Sequence, residues 1–585
     1  MTETNNYLGF TIGPIVQTIA SAKKTGHAWG GSYIFSYIMK QMILKLKENN
    51  FEILTPYVEN EFETEKYGAG LFPDRCIVKV SNDFDKEKIL SYFEKIKKEV
   101  LNDLATKIID ETYIKPLDDK ESETYDISKL KEFKENLIDY FQIYGFIGEF
   151  SSKKEAMNTI SNYLDSLELE PNYQSHNPCN IKNPLFKFFE NKTIKNSFLS
   201  IDCFETSADK EMIKSLPEIA LGNFIESNDI KIDNLNDSVN NGKYNEIYKK
   251  CAENKENFKK HYKYYAIIRA DGDSVGKILK NFLRETDDNA ENNNLEKYNI
   301  FSKQLFNFSK EVVNIIKEYG GLPIYIGGDD ILAFVPLIHE NETENEKDKF
   351  KTVFGLIENI DEKFNKEIGK TIKIDGKEIK PSLSYGLTIN YYKYPLYEAL
   401  NKSNDLLNYV AKKNKELLTS EADKKEYEKN AIALRILKHS GQEIQITLNK
   451  NNKSLYDLFA KLMNDIILKN NNEINENGKI LQSFKIKIAE DEVLLNSLYD
   501  LHINNGNKDF EEFNTSIDNY FKNNFKKDIH KANEQQIDNI KNLLKACYYE
   551  YPYDNSKDDN TNNNTAIQTF ERILRLLSFL NEGGE

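Results

Sequence analysis

Two acidic segments carry the residue types that chemistry would need: Asp271-Gly272-Asp273-Ser274 within ADGDSVGK, and Gly327-Gly328-Asp329-Asp330 within IYIGGDDILAF. A hairpin tip needs one glycine and a little polarity, whereas adjacent carboxylates repel each other unless a cation neutralises them. Hard carboxylate oxygens suit Mg²⁺ or Mn²⁺, so Asp271, Asp329 and Asp330 are the candidate metal ligands and catalytic residues. Two such ions ~3.5–4 Å apart would activate an attacking hydroxyl and stabilise a leaving pyrophosphate in an in-line displacement. Gly327 and Gly328 admit positive φ and, lacking side chains, let a triphosphate come close to the backbone. Gly272 and Ser274 lie where a strand turns into a helix, and amides at such a turn can cradle phosphate oxygens. Lys412, in NYVAKK, is placed to reach a triphosphate, although a lone helix lysine is more often solvated surface. Taken singly, GGDD is more often a polar hairpin and DGD an ordinary turn. Their pairing within one α+β unit is what favours catalysis.

Competing motifs fail on inspection. DGDSVG brushes the calcium-loop pattern, but Val275 takes a ligand position and Phe282 stands where the bidentate glutamate belongs. No GxxxxGK[ST] occurs, which excludes a Walker-type site, and GAGLFP at 68–73 lacks the third glycine of a dinucleotide fingerprint and reads as a loop.

The elements that must position these residues follow from periodicity. YYAIIRA reads as a strand ending at Asp271, SVGKILKNFL opens a helix, and FSKQLFNFSKEVVNIIKEYG is a longer helix stopped by glycine. LPIYI and ILAFVP are hairpin arms, FKTVFGLIENIDEKFNKEI is helical, SLSYGLTIN is a strand, and PLYEALNKSNDLLNYVAKK is a helix. In such a βαββαβ unit the first two strands run parallel with the third antiparallel between them. The tip of the second-to-third hairpin then falls at the same sheet edge as the end of the first strand, and the carboxylates converge.

A weaker copy of this plan opens the chain: YLGFTIGPIVQ, a helix through WGGSYIFSYIMKQMILKLK, strands FEILTPYV and CIVKV, charged helical sequence over 86–112, and YFQIYGFIGEF. The fold class expected is α+β, with two ferredoxin-like units. Boundaries are drawn at 1–150 for the first unit, 151–254 for a helical connection, 255–420 for the second unit and 421–585 for a helical C-terminal region. ETDDNAENNN at 285–294 and the Asn-rich loops near 470 and 560 read as solvated insertions.

The 585 residues carry a formal net charge of −15 with 34 Tyr and 34 Phe. That leaves ample apolar surface for real cores but argues against a protein that grips nucleic acid over its whole surface. Five cysteines without a CxxC pair imply neither a disulfide framework nor a zinc ribbon. No signal-peptide plan or membrane-length apolar run is present, so a cytoplasmic chain is expected.

In this order, ADGDSVGK, IYIGGDDILAF and PSLSYGLTINYYKYPLYEAL…AKK resemble the palm of the large polymerase/cyclase-like subunit of type III CRISPR effector complexes. FTIGPIVQTIASAKKTGHAWGGSYIFSYIM resembles the first palm of that family's Cmr (type III-B) branch, and LRILKHSG its segment after the second palm. The resemblance implies two palm domains and an antiviral ribonucleoprotein of other Cmr-type subunits, crRNA and target RNA. Bound target RNA would switch on conversion of ATP into 3′–5′-linked cyclic oligoadenylate, or transfer of AMP to S-adenosylmethionine. By position, Asp271, Asp329 and Asp330 would hold the metals with Asp273 supporting, Gly327, Gly328 and Ser274 would line the phosphates, and Lys412 would contact the triphosphate. The first palm, which lacks the hairpin aspartates, would bind the acceptor. Two departures shape expectation: no His-Asp dipeptide occurs, so no HD nuclease is expected, and Cys179, Cys203 and Cys251 lack paired spacing, so no zinc is expected. The alternatives are a catalytically silent scaffold and a free-standing diguanylate-cyclase-like enzyme. Intact DGD and GGDD argue against the first, and the extra unit with its helical tail against the second.

Overall fold

The computed structural model describes residues 4–58, 68–81, 84–114, 127–168, 184–189, 213–221, 224, 244–254, 258–284, 291–339, 352–374, 376–413, 429–451, 453–468, 481, 483–504, 510–525, 534–551 and 565–581. The first sheet contains β1 (Asn5–Gly13), β2 (Glu52–Thr55), β3 (Arg75–Lys79) and β4 (Gln142–Phe150), in the order β2-β3-β1-β4. All its neighbours are antiparallel. Helix α1 (Thr25–Glu48) links β1 to β2, and α2 (Lys86–Ile109) follows β3. The Asp85 side chain caps α2 by accepting the Lys88 amide hydrogen. Helix α3 (Ile127–Tyr140) precedes β4 and α4 (Lys153–Glu168) follows it. Ala156, Ile160 and Leu164 of α4 cover the sheet face that carries Tyr7 and Ile77.

The second sheet repeats this order and extends it. Its strands are β5 (Tyr264–Asp273), β6 (Leu322–Gly327), β7 (Asp330–Pro336) and β10 (Ser382–Tyr391), with a small hairpin of β8 (Ile372–Ile374) and β9 (Lys377–Ile379) beside it. The order β10-β5-β7-β6 matches β4-β1-β3-β2 strand for strand. Helices α5 (Val275–Phe282) and α6 (Glu291–Glu318) connect β5 to β6, α7 (Val353–Glu367) follows β7, and α8 (Leu396–Asp405) follows β10. Helix α6 begins inside the asparagine run read as an insertion, so residues 291–294 are its first turn.

Residues 431–449 depart from the helical reading of everything beyond 421. AIALRIL forms β11 (Ala431–Leu437) and EIQITLN forms β12 (Glu443–Asn449), making a six-stranded sheet with β11 parallel to β10. Short apolar runs fit strand or helix equally well by period, and here the free edge of β10 decided. Beyond them, α9 (Lys453–Leu468), α10 (Glu534–Glu550) and α11 (Ala566–Asn581) are helical as expected.

Alternation along β5 and β7 divides the second sheet between two cores. Ala266, Ile268, Ala270, Ala333 and Val335 face α6, α7 and the C-terminal helices through Phe308, Val312, Phe354 and Phe570. Tyr265, Ile267, Leu332 and Phe334 face the other way, into a core shared with Leu8, Phe10, Trp29 and Ile34 of the first unit. The second sheet is therefore enclosed by its own helices on one side and by the first unit on the other.

Candidate active site

The carboxylates meet because register demands it. Strands β5 and β7 pair antiparallel, with Ala270 opposite Ile331 as the last pair in register, so the next step brings Asp271 opposite Asp330. Side chains at such positions share a face, with Cβ atoms about 4.5–5.5 Å apart. By alternation this is the face of Ile267 and Leu332, which looks toward the first unit.

Asp329 arrives by the turn. Gly327 pairs with Asp330, leaving Gly328 and Asp329 as a two-residue loop. Gly328 takes φ +70°, a conformation that costs other L-residues dearly, while Gly327 has no positive φ. The Asp329 carboxylate lies directly against Gly272: a Cβ at Gly272 would come within 2.2 Å of Asp329 Oδ2. Gly272 is thus required as the seat of Asp329. The loop is pinned from behind by Ser309 of α6, whose hydroxyl accepts the Gly328 amide hydrogen at 2.9 Å and lies 3.1 Å from the Gly328 carbonyl. That amide is already committed to Ser309, and a phosphate at this turn would have to use other donors.

Crowding raises the affinity of the turn for protons. Burial, then the charge of Asp271, pushes the Asp329 carboxyl up to about 6, against weaker opposition from backbone amides and Lys412. Asp330 stands at the solvent-exposed rim, yet desolvation by the protein crowded around its carboxyl, followed by Asp329 and Asp271, holds it well above the usual range. Arg269, two residues before Asp271, donates to Asn404 Oδ1 at 3.0 Å, and its charge, with that of Lys412, opposes the upward shift of Asp330.

Lys412 and Asp273 complete the arrangement. Lys412 Nζ is 2.7 Å from Asp271 Oδ2 and 2.9 Å from Asp273 Oδ1, and it donates to the Gly272 carbonyl at 2.8 Å. Asp273 is buried, and its Oδ2 accepts from Ser382 and Ser384 at 2.8 Å each and from the Asn430 amide at 3.0 Å. With Oδ2 accepting three hydrogen bonds and Oδ1 paired with Lys412, Asp273 holds the strand end and Lys412 in place. Ser274, φ +66°, begins α5 in the left-handed region with no side-chain cap bond, a strained position for a non-glycine residue.

Among the described residues no three His, Cys, Asp or Glu side chains are already drawn into a cation cage. The donor set nevertheless fits Mg²⁺ or Mn²⁺: three carboxylates of hard oxygen, two of them with raised proton affinity, while the Lys412 ammonium already pairs with Asp271. Cys251 is buried and free, while Cys179 and Cys203 lie outside the described residues.

The structure brings together Asp271, Asp329, Asp330 and Lys412, which their types and spacing single out, and beside them Ser309, Arg269, Ser382, Ser384 and Asn430, which they do not. Only the Ser-x-Ser alternation of β10, which places both hydroxyls on one face, was a usable signal. The GAGLFP segment, read as a plain loop, lies against β6: the Gly70 carbonyl accepts the Ile326 amide hydrogen at 3.0 Å, and Gly70 bridges Tyr325 in parallel.

Comparisons with known proteins bear on the fold and on two segments of the chain. Residues 264–432 match the family model for Cas10/Cmr2, second palm domain, and residues 7–108 match that for the CRISPR-associated protein Cmr2, N-terminal. The CRISPR system Cmr subunit Cmr2 of Pyrococcus furiosus is 33% identical over 166 residues, a match spanning 26% of this chain and 17% of that relative. A type III-B Cmr-beta structure in the apo state superimposes with TM-score 0.58 at 13% identity, covering 99% of this chain and 82% of that one. The Cmr-beta structure bound to cognate target RNA gives TM-score 0.56 at 11% identity, over 98% and 83% of the two chains. At those identities the superpositions speak to fold alone. No helix among the described residues is long and apolar enough to cross a membrane. Residues 7–108 and 264–432 thus resemble two segments of Cas10/Cmr2 proteins, and the chain shares its fold with type III-B Cmr-beta structures.

Proposed function

We propose that this chain is the nucleotidyltransferase subunit of a type III-B CRISPR effector complex in the cytoplasm. It would convert ATP into a 3′–5′-linked messenger once its ribonucleoprotein binds target RNA. The messenger is cyclic oligoadenylate or an AMP–S-adenosylmethionine conjugate; both arise by attack on the α-phosphate of ATP. The observation that carries this reading is the convergence of Asp271, Asp329 and Asp330 at one sheet edge. A pure scaffold gains nothing from carboxylates whose mutual repulsion raises their proton affinity.

Asp271, Asp329 and Asp330 would hold Mg²⁺ or Mn²⁺, which supplies charge neutralisation at the triphosphate and lowers the pKa of the attacking hydroxyl. The chain's own contribution is placement. Gly272 keeps the space that Asp329 fills, Ser309 fixes the turn, and Asp273 fixes the strand end and Lys412. The Lys412 ammonium, bonded to Asp271 here, is within reach of a triphosphate bound over that carboxylate. Gly327 and the first turn of α5 after Ser274 would face the phosphates. The first unit, which shares a core with this face of the sheet, would supply the acceptor pocket.

The deciding experiment incubates the assembled complex with crRNA, target RNA and ATP, with and without S-adenosylmethionine, and identifies products by mass spectrometry. Messenger should appear with the wild type and be lost with Asp329→Ala plus Asp330→Ala. Undiminished messenger from that double variant would refute the assignment.

A further inference from the structure

Helix α1 carries Trp-Gly-Gly-Ser at residues 29–32, and nothing in the chemistry above uses it. Its contacts show what it holds. Trp29 Nε1 donates to the Gly68 carbonyl at 2.9 Å, and Ser36 Oγ accepts the amide hydrogens of Leu71 and Phe72 at 3.2 and 3.0 Å. Ser32 faces Gly70 so closely that a Cβ there would sit 2.7 Å from Ser32 Oγ. Helix α1 is thus a cradle for the 68–72 loop.

The loop in turn grips the catalytic hairpin. Gly70 forms a single parallel bridge with Tyr325 and accepts the Ile326 amide hydrogen, engaging β6 at the edge of the six-stranded sheet. Ile326 immediately precedes Gly327. Tyr325 spans the remaining gap: its ring lies 3.5 Å from where a Gly70 Cβ would be, and its hydroxyl occupies the space a Gly327 side chain would need. From the opposite side Ser309 holds Gly328. The hairpin carrying Asp329 and Asp330 is therefore clamped between α6 of its own unit and a loop of the first.

We infer that the 68–72 loop is a positioning element of the catalytic hairpin, with Gly70 as its contact residue and Trp29 and Ser36 of α1 as its support. The inference rests on the proposed reading of the carboxylates as a cation and triphosphate site. It assigns the first unit a second task besides offering an acceptor pocket: fixing Asp329 and Asp330 against Asp271. Ser32 Oγ is buried without a hydrogen-bond partner, so removing it loses no bond, and Gly70 has no positive φ. An alanine at 70 is therefore opposed by Ser32 and not by backbone strain.

The test uses the full-length chain with Gly70→Ala, Ser32→Ala and the double variant, measuring Mn²⁺ affinity by electron paramagnetic resonance and ATP turnover in the assembled, RNA-bound complex. Ser32→Ala should match the wild type. Gly70→Ala should weaken Mn²⁺ binding and lower kcat by about tenfold, since displacements of 1 Å in a site can cost up to ~100-fold. The double variant should recover to within about twofold, because the Cβ then has room. Ser36→Ala, which adds no atom, should give an intermediate loss and serves where Gly70→Ala lowers the melting temperature. Wild-type behaviour of both Gly70→Ala and Ser36→Ala would overturn the inference, as would a loss that Ser32→Ala fails to rescue. A wild-type complex that turns over no ATP would instead sink the enzymatic reading, leaving the Mn²⁺ comparison to judge the loop by itself.

Discussion

Asp273 and Lys412 form a 2.9 Å ion pair whose two members are almost wholly enclosed, with side chains 5% and 13% exposed. The same ammonium reaches Asp271, so the end of β5 and the segment after α8 are locked together at the site. Asp273→Asn keeps an acceptor for Ser382, Ser384 and Asn430 but turns an amide N–H toward the ammonium. It should destabilise the chain by about 3 kcal/mol, the range expected when one partner of a buried pair is removed. Ser382→Ala should cost only about 1 kcal/mol. Denaturant midpoints of the purified chain check both values. An Asp273→Asn variant as stable as the wild type would show that the pair does not hold the strand end.

The hairpin carboxylates should behave in the opposite way. Desolvation and mutual repulsion leave Asp329 and Asp330 reluctant to ionise, and at neutral pH, above its value of about 6, the charge of Asp329 works against folding in the absence of cations. Asp329→Asn should raise the stability of the metal-free chain by about 1 kcal/mol while abolishing ATP turnover, a trade expected where function stores unfavourable charge. Thermal melting with and without Mn²⁺ separates the effects: the wild type should gain from Mn²⁺, and the variant should gain little.

How much of this was legible follows from which residues carry local signals. The β5 strand end and the β6–β7 hairpin are written by alternation, glycine and β-branched residues, and their convergence follows from the strand order alone, so Asp271, Asp329 and Asp330 were within reach. Strands β11 and β12 were missed because AIALRIL and EIQITLN read by period as either element, and only the open edge of β10 selects strand. Ser309 was out of reach for a different reason. A serine in mid-helix bonding its own Leu305 carbonyl looks ordinary, and its contact with Gly328 exists only once α6 is laid across the sheet. Gly70 likewise gains meaning from a bridge to a strand more than two hundred residues away.

Ser309→Ala should therefore expose a functional debt that its sequence conceals. The substitution suits a helix, yet it strips the Gly328 amide of its acceptor at a partly buried turn. A stability loss of about 1–2 kcal/mol is expected. Turnover should fall by about tenfold as the turn loosens, with the KM for ATP little changed if the loss lies in orientation rather than binding. Steady-state kinetics of the assembled complex distinguish this from simple unfolding, which would scale activity with the folded fraction. Ser309→Thr, which keeps the hydroxyl, should restore part of the rate.

Proton and cation should compete at the hairpin in a predictable window. Asp329, with its carboxyl moved from 3.8 to about 6, must lose a proton before it can bind a cation, and Asp330 is shifted the same way. The share of this competition that Asp329 supplies should vanish above about pH 7, and Mn²⁺ affinity should fall at least about tenfold for each unit below pH 6, more steeply as both carboxyls take up protons. The sign of the linked stability is fixed by the same shift. A raised carboxyl favours the metal-free fold while it remains protonated, and that contribution fades as pH climbs from the unfolded value of 3.8 through about 6. Mn²⁺ titrations at stepped pH, paired with melting of the metal-free chain, test both halves. In Asp329→Asn the residual Mn²⁺ binding should lose the proton competition contributed by residue 329. A pH dependence of that variant identical to the wild type would mean the titrating group lies elsewhere.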